Sequence, residues 1–327
     1  MPALPNSART RAHKPALAIF AAVGGAWVFV LVALGAFTTT IGAGMAFADW
    51  PLSNGSVNPK GWLQDIAMFA EHSHRLSGTL MGIITITLAV WLQRTEARPW
   101  LRKLGWWSLA IVIIQGIIGG QRVTLDAWHV AGFEMSIGQM LRIPHGILAQ
   151  IYVCMLIAIA VSLSHRWIEG RTAPVSQGLR QLGFICCSLM LVQLIIAVTM
   201  RHNYAGLAIP TFPASNPDGS WWPAIWNFHV AIQFAHRVMA AVLAIVLVWF
   251  ALKIWTERGT SLAMRCGASV LVGLLGFQIM LGAHIIWSHR AVAVTTGHVL
   301  VGACTLATTF WLVWLAHRDL MEQKPSA

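Results

Sequence analysis

Eight apolar stretches, roughly 15–37, 70–93, 103–121, 138–163, 179–200, 228–252, 263–287 and 291–316, divide the chain, and each can cross about 30 Å of hydrocarbon as an α-helix. This pattern predicts an all-α integral membrane protein with eight transmembrane helices. Composition agrees, since 57% of the 327 residues are hydrophobic, only 10% are charged and the mean hydropathy is +0.66. A formal charge of +11 could suggest a nucleic-acid partner. The Lys and Arg residues, however, are scattered through short segments between the apolar runs, with no aromatic-interleaved basic patch, so nucleic acid is excluded and the charge is read as topology. An even number of spans puts both termini on one side of the lipid bilayer. The segments sharing that side hold Arg9, Arg11 and Lys14; Arg94, Arg98, Arg102 and Lys103; Arg166, Arg171 and Arg180; Lys253, Arg258 and Arg265; and Arg318 and Lys324. These are 15 of the 22 basic residues, which predicts cytoplasmic termini. The first run follows basic residues but is about 23 residues long without a small-residue cleavage site after it, so it reads as a span and not a signal peptide.

The chain also repeats itself. AGMAFADWP at 43–51 aligns without gaps on AGLAIPTFP at 205–213, an offset of 162 residues that also joins His74-Arg75 to His236-Arg237. An offset of 163 relates Gln115 and Gly119 to Gln278 and Gly282, and one of 153 relates His145 to His298. Two four-helix halves, 1–165 and 166–327, are therefore expected, related by a pseudo-two-fold axis along the membrane normal because each contains an even number of spans. Gly119 to His145 is 26 residues and Gly282 to His298 only 16, so the first half has a longer outer loop over 122–138, holding Asp126, His129 and Glu134.

The second, fourth, sixth and eighth spans run from outside to inside, and each carries one repeat-related histidine in its outer half: His74, His145, His236 and His298. Two such pairs predict two cofactor sites, since neutral imidazole is a good ligand for iron, zinc or copper, and two histidines on facing helices can clamp a flat macrocycle. Gly78 and Gly82, Ala240 and Ala244, and Ala149 and Gly302 follow these histidines at helical spacing, leaving room for a porphyrin edge; small residues that simply let helices pack closely are the structural alternative. The five cysteines lie inside predicted spans and form no CxxCH motif, which excludes covalent attachment of the c type. His13, His165 and His317 fall in cytoplasmic basic segments, while His129, His202, His229, His284 and His289 lie near the outer surface without repeat counterparts; these histidines carry less weight. Arg75 and Arg237 follow the first ligand of each pair and could fork onto a ligand carboxylate or simply snorkel outward.

The halves differ at one telling position. Three residues before the first histidine stand Glu71 in one half and Gln233 in the other. On a helix Glu71 is about 60° around from His74, whereas His72 points about 160° away, so Glu71 and His74 address common space and His72 does not. A carboxylate beside a metal-bound ring can take a proton from a reacting group; an i,i+4 pair of Glu71 with Arg75 is the structural alternative.

The ExxHR element Glu71-His72-Ser73-His74-Arg75, its echo QFAHR at 233–237, the single histidines His145 and His298, and the loop GAGMAFADWP at 42–51 together resemble the haem A synthase family over essentially the whole chain. The resemblance implies oxidation of the C8 methyl of haem O to a formyl group, by successive hydroxylations to a gem-diol and loss of water, giving haem A for terminal oxidases. It implies a resident haem b on His236 and His298, haem O as substrate on His74 and His145, and Glu71 as the essential acidic residue, taking protons or stabilising cationic charge. It further implies a bacterial inner membrane, haem O synthase and terminal oxidase subunits as partners, and an electron acceptor that it leaves open. Many bacterial members carry a cysteine pair in the first outer loop. This chain reads TTTIGAGMAFADWPLSNGS there and has none. A non-catalytic di-haem b electron carrier is the competing expectation.

Overall fold

The computed structural model describes residues 9–132, 134–170 and 173–322. In chain order its helices are α1 (Pro15–Thr40), α2 (Ile66–Thr95), α3 (Pro99–Thr124), α4 (Ile137–Leu163), α5 (His165–Glu169), α6 (Gln177–His202), α7 (Phe228–Thr256), α8 (Leu262–Trp287), α9 (Val292–Ala316) and α10 (Arg318–Glu322). All but α5 and α10 are long and apolar enough to cross a membrane, which gives eight spans, and no strand occurs among the described residues. The protein is an all-α, multi-pass membrane protein. Arg171 and Lys324, two of the basic residues used to predict its orientation, lie outside the described residues.

Several helices begin before their apolar stretch does, because polar caps supply acceptors for the free N–H groups of the first turn. Asp65 accepts from Ala67 and Met68 at 2.8 Å and starts α2 at Ile66. Asn227, its counterpart 162 residues on, accepts from Val230 and starts α7. Ser136 and Gln139 form a reciprocal capping box at α4. The helix starts keep the spacing of the repeat: α1 to α6 and α2 to α7 are each 162 residues, and α3 to α8 is 163.

Neighbours in sequence pack as neighbours in space. Within the first four spans α1 contacts α2 and α4, and α3 contacts both α2 and α4; α6, α7, α8 and α9 repeat these pairings. One apolar core gathers Leu17, Met81, Leu88, Leu92 and Leu156, and a second gathers Leu179, Leu247, Phe250, Leu271 and Leu312. The two sets meet through α1 against α9 and α4 against both α6 and α9. Glycine permits the close approaches, as where Gly105 faces Leu92 and Ala89.

At the end of the bundle where α1 begins and α10 lies, a polar clasp joins the halves. Arg98 donates to Glu96 at 2.9 and 3.0 Å, to the Ser162 carbonyl at 2.9 Å and to Glu322 at 3.2 Å. Trp314 Nε1 donates to Ser162 Oγ, Trp167 Nε1 to Glu322, and Arg318 to the Trp167 carbonyl. Glu96 is 0% and Arg98 6% exposed, so removing the guanidinium strands a buried carboxylate. Arg98→Met is expected to cost about 3–5 kcal/mol, measurable as a lowered thermal midpoint of the detergent-solubilised protein.

Candidate functional site

The α1–α2 and α6–α7 loops fix the geometry of the repeat-related His-Arg pairs. Arg75 Nη1 donates to the carbonyls of Asp49 at 2.8 Å and Leu52 at 2.6 Å, and Nη2 to that of Phe47 at 3.2 Å. Arg237 donates to the carbonyls of Ile209 at 3.0 Å, Thr211 at 2.7 Å and Ala214 at 3.4 Å. Each acceptor in the second set stands 162 residues after one in the first. Each guanidinium also lies over a loop aromatic ring, Phe47 at 5.4 Å and Phe212 at 5.6 Å. The sequence left both arginines either forking onto a ligand carboxylate or snorkelling outward; the structure uses them to fasten the α1–α2 and α6–α7 loops over the histidine-bearing helices, where loop carbonyls accept their donors.

The first of these loops is further ordered by Asp49, whose exposed carboxylate accepts the amides of Asn54 and Gly55 at 2.7 Å across residues with φ of +51° and +70°. The Gly55 amide, assisted by that of Asn54, holds the Asp49 carboxyl below its ordinary value of 3.8. A lowered folded-state pKa stabilises the turn at neutral pH and loses its effect as pH falls through that lowered value. The protection factor of the Gly55 amide, the intrinsic exchange rate divided by the observed rate at the same pH, is therefore expected to be constant near neutrality and to fall below about pH 4.

Glu71 and Gln233, each 3% exposed, do equivalent structural work with different chemistry. Glu71 Oε2 accepts the Phe47 amide at 3.1 Å, and Gln233 Oε1 accepts the amide of Ile209, the matching residue, at 2.5 Å. Gln233 then donates through Nε2 to the Gly206 carbonyl at 2.8 Å. A carboxylate has no such donor, and in the first half the corresponding Gly44 carbonyl accepts from Arg122 of α3 at 2.5 Å. Glu71 Oε1 is left to accept from Arg75 at 2.7 Å, the i,i+4 pair that its spacing allows. A second, buried guanidinium, that of Arg122, thus stands within electrostatic range of Glu71, His74 and His145 where the second half has Gln233 and Ile285.

The histidine rings are seated against helices that offer no side chain. A Cβ added at Gly35 of α1 would lie 2.9 Å from His74 Cε1; at Gly119 of α3 and Gly282 of α8 it would lie 3.2 Å from Cε1 of His145 and His298. His236 differs, its Nδ1 meeting the Gln193 amide of α6 at 3.1 Å. The centroids of His236 and His298 are 6.5 Å apart at 61°. Two imidazoles sharing one metal at about 2 Å from each nitrogen place their centroids about 6 Å apart, so this pair is spaced for a shared ion. Nδ1 of His74, His145 and His298 is buried and makes no hydrogen bond of good geometry, while the backbones of Leu31, Gln115 and Gln278 stand beside the respective rings as acceptors that would orient them, leaving the other ring nitrogen for a bound group. No three His, Cys, Asp or Glu side chains converge among the described residues, which suits an ion whose remaining ligands come with a macrocycle. Open space surrounds the Cβ positions of Gly78 and Gly82. Two other small residues serve packing and not an open edge: Gly302 receives the Gln278 amide, 3.1 Å from its Cβ position, and Ala244 packs against the second core.

His72, buried beside His74 in sequence, is directed into the first outer loop. Its Nδ1 lies 3.0 Å from Ser53 Oγ, and its ring meets Trp62 edge-on at 4.8 Å. The longer α3–α4 loop is tied down by Asp126 and Arg142 at 2.9 Å and by Ile137 donating to the Trp128 carbonyl at 2.7 Å. Sequence reasoning passed over Arg122, Arg142, Arg201 and Gln193. Their signal was the failure of the repeat: the aligned positions in the opposite halves are Ile285, Thr295, Thr39 and Leu31.

A sequence model of the COX15-CtaA family, described as cytochrome oxidase assembly protein, matches residues 18–310. The chain is 27% identical over 300 residues to the haem A synthase of Alkalihalophilus pseudofirmus, covering 88% of this chain and 93% of that protein. It is 25% identical over 297 residues to the haem A synthase of Shouchella clausii, covering 89% and 94%, and 24% identical over 350 residues to that of Rhodopseudomonas palustris strain HaA2, covering 94% and 92%.

Proposed function

Because the chain belongs to the COX15-CtaA family of cytochrome oxidase assembly proteins, we propose that it is a haem A synthase, oxidising the C8 methyl of haem O to a formyl group. The observation that carries this reading is the asymmetry within a repeat: both halves hold a histidine pair, but only the first places a carboxylate, Glu71, three residues before its ligand. Residues 1–165 form the substrate half, with His74 and His145 holding haem O. Residues 166–327 form the half that keeps a b-type haem on His236 and His298. When bound, haem supplies the iron redox chemistry that no protein side chain provides.

The chain's own residues bind, orient and polarise. Gly35, Gly119 and Gly282 seat three of the four imidazoles, and Gly78 and Gly82 leave room along α2 for a macrocycle edge. Arg75 and Arg237 hold the outer loops down, which keeps water from the ligand-bearing turns. Glu71 is fixed by the Phe47 amide and by Arg75, so its role is that of a positioned negative charge that stabilises positive charge developing on the methyl carbon. The charge-neutral Gln233 would give a haem held by His236 and His298 no acidic neighbour at the equivalent position, and that group, when bound, would supply electron transfer. The membrane is the bacterial inner membrane with both termini cytoplasmic; haem O synthase and terminal oxidase subunits are the partners that would supply substrate and take product.

Expression in a host that makes haem O but lacks its own haem A synthase tests the proposal. Haem A is expected in extracted pigments, with a-type oxidase absorption restored. A non-catalytic di-haem carrier would give a bis-histidine spectrum and leave haem O unconverted.

A further inference from the structure

We infer that Arg122, Arg142, Arg201 and His202 form a carboxylate-binding rim above the first-half pocket, which takes the two propionate groups of the substrate haem. The inference rests on the reading of His74 and His145 as haem ligands and adds the group that orients the macrocycle between them.

Helix packing brings the four residues together. Gly146 of α4 lies against Val198 of α6, 3.3 Å from its Cβ position to Cγ1. The helices are antiparallel, and one turn outward from this contact stand Arg142 on α4 and His202 on α6. Arg122 is likewise one turn outward of Gly119, the glycine that backs His145. His202 accordingly lies within electrostatic range of Arg201, Arg142, Arg122 and His145. The cluster sits just outside the ring of His145, toward the outer surface, and draws on both halves of the chain.

Among the described residues one carboxylate, that of Asp126, is hydrogen-bonded to the rim's three guanidinium groups, through Arg142. Arg142 donates through Nη2 to Asp126 and keeps a buried Nε without a partner. Arg122 and Arg201 commit Nη2 to neutral acceptors: the Gly44 carbonyl for Arg122, the Ala36 carbonyl and Thr40 hydroxyl for Arg201. Of the two carboxylates in range of Arg122, Asp126 is bonded by Arg142 and Glu71 by Arg75. Guanidinium groups at the end of a membrane span are costly without an anion, and their planar forks match carboxylates. The aligned positions, Ile285, Thr295, Thr39 and Thr40, carry no charge, so the second half has no equivalent cluster, although Arg201 also lies within electrostatic range of His298. The ligand chemistry that fits is a flat ring bearing two neighbouring carboxylates at its outward edge.

The test uses the purified protein with its resident haem bound, titrated with one further equivalent of haemin or of haemin dimethyl ester, which lacks the charged carboxylates. Wild type is expected to bind the free acid at least about tenfold more tightly than the ester. Arg122→Gln and Arg142→Gln are each expected to bring the free acid close to the ester value while the spectrum of the resident haem is unchanged. Should either Gln variant not fold, Arg142→Lys carries the test, since it keeps a cation for Asp126 while removing the planar fork whose Nε has no protein partner. Equal affinities in wild type, or a preference undiminished in the variants, overturn the inference and leave the histidine assignment standing. Failure of wild type to bind a second haemin in either form overturns both.

Discussion

Replacing Glu71 with Gln is expected to lower haem A formation by about 10²–10³-fold while the protein folds and keeps its resident haem. The second half of the chain shows why the fold tolerates the change. Gln233 occupies the equivalent position, accepts the equivalent loop amide from Ile209, and donates to the Gly206 carbonyl. In the variant, the new amide can accept from Phe47 and compete with Arg122 for the Gly44 carbonyl, because those groups match Ile209 and Gly206 in the repeat. What disappears is the negative charge. Extracted pigments should then contain haem O without haem A, beside a normal bis-histidine absorption spectrum. Undiminished haem A would remove Glu71 from the chemistry and leave its pairing with Arg75 as its whole role.

The second large effect concerns the other half. His236→Ala and His298→Ala are each expected to eliminate the low-spin bis-histidine spectrum of the resident haem, because the two rings, 6.5 Å apart, are spaced to share its iron. Neither change empties a core position, since the two histidines lie outside the second apolar cluster. The bundle should therefore remain assembled and membrane-inserted, and loss of colour with normal yield would locate the resident haem between α7 and α9. A full spectrum in both variants would place that haem elsewhere.

The number of spans, their repeat and the four histidines were legible because each rests on a local rule: length and hydropathy for the spans, fixed offsets for the duplication, and helical spacing for His74 against His72. The uses of Arg75 and Arg237 were not legible. Which carbonyls a guanidinium meets depends on how a 20-residue-scale loop folds back, and only the finished loop shows that Phe47, Asp49 and Leu52 point at Arg75. The same limit hid Arg122. Its importance follows from a substitution on another helix, Glu71 for the Gln found at 233, which leaves the Gly44 carbonyl in need of a donor. Matching positions singled out the four histidines; mismatched positions, Arg122 against Ile285 and Arg201 against Thr39, mark where the two halves diverge. His202 lacked a counterpart and so looked like an interfacial residue, yet α6 brings it to Arg142 and His145.

The central claim is that only the haem held by the first half is chemically changed. Wild-type and His74→Ala proteins, produced side by side in a host that makes haem O, can be purified and their extracted haems separated by liquid chromatography. Wild type should yield haem B together with haem O and haem A, and His74→Ala should yield haem B alone with the bis-histidine spectrum intact. Haem A recovered from the His74→Ala protein would contradict the account.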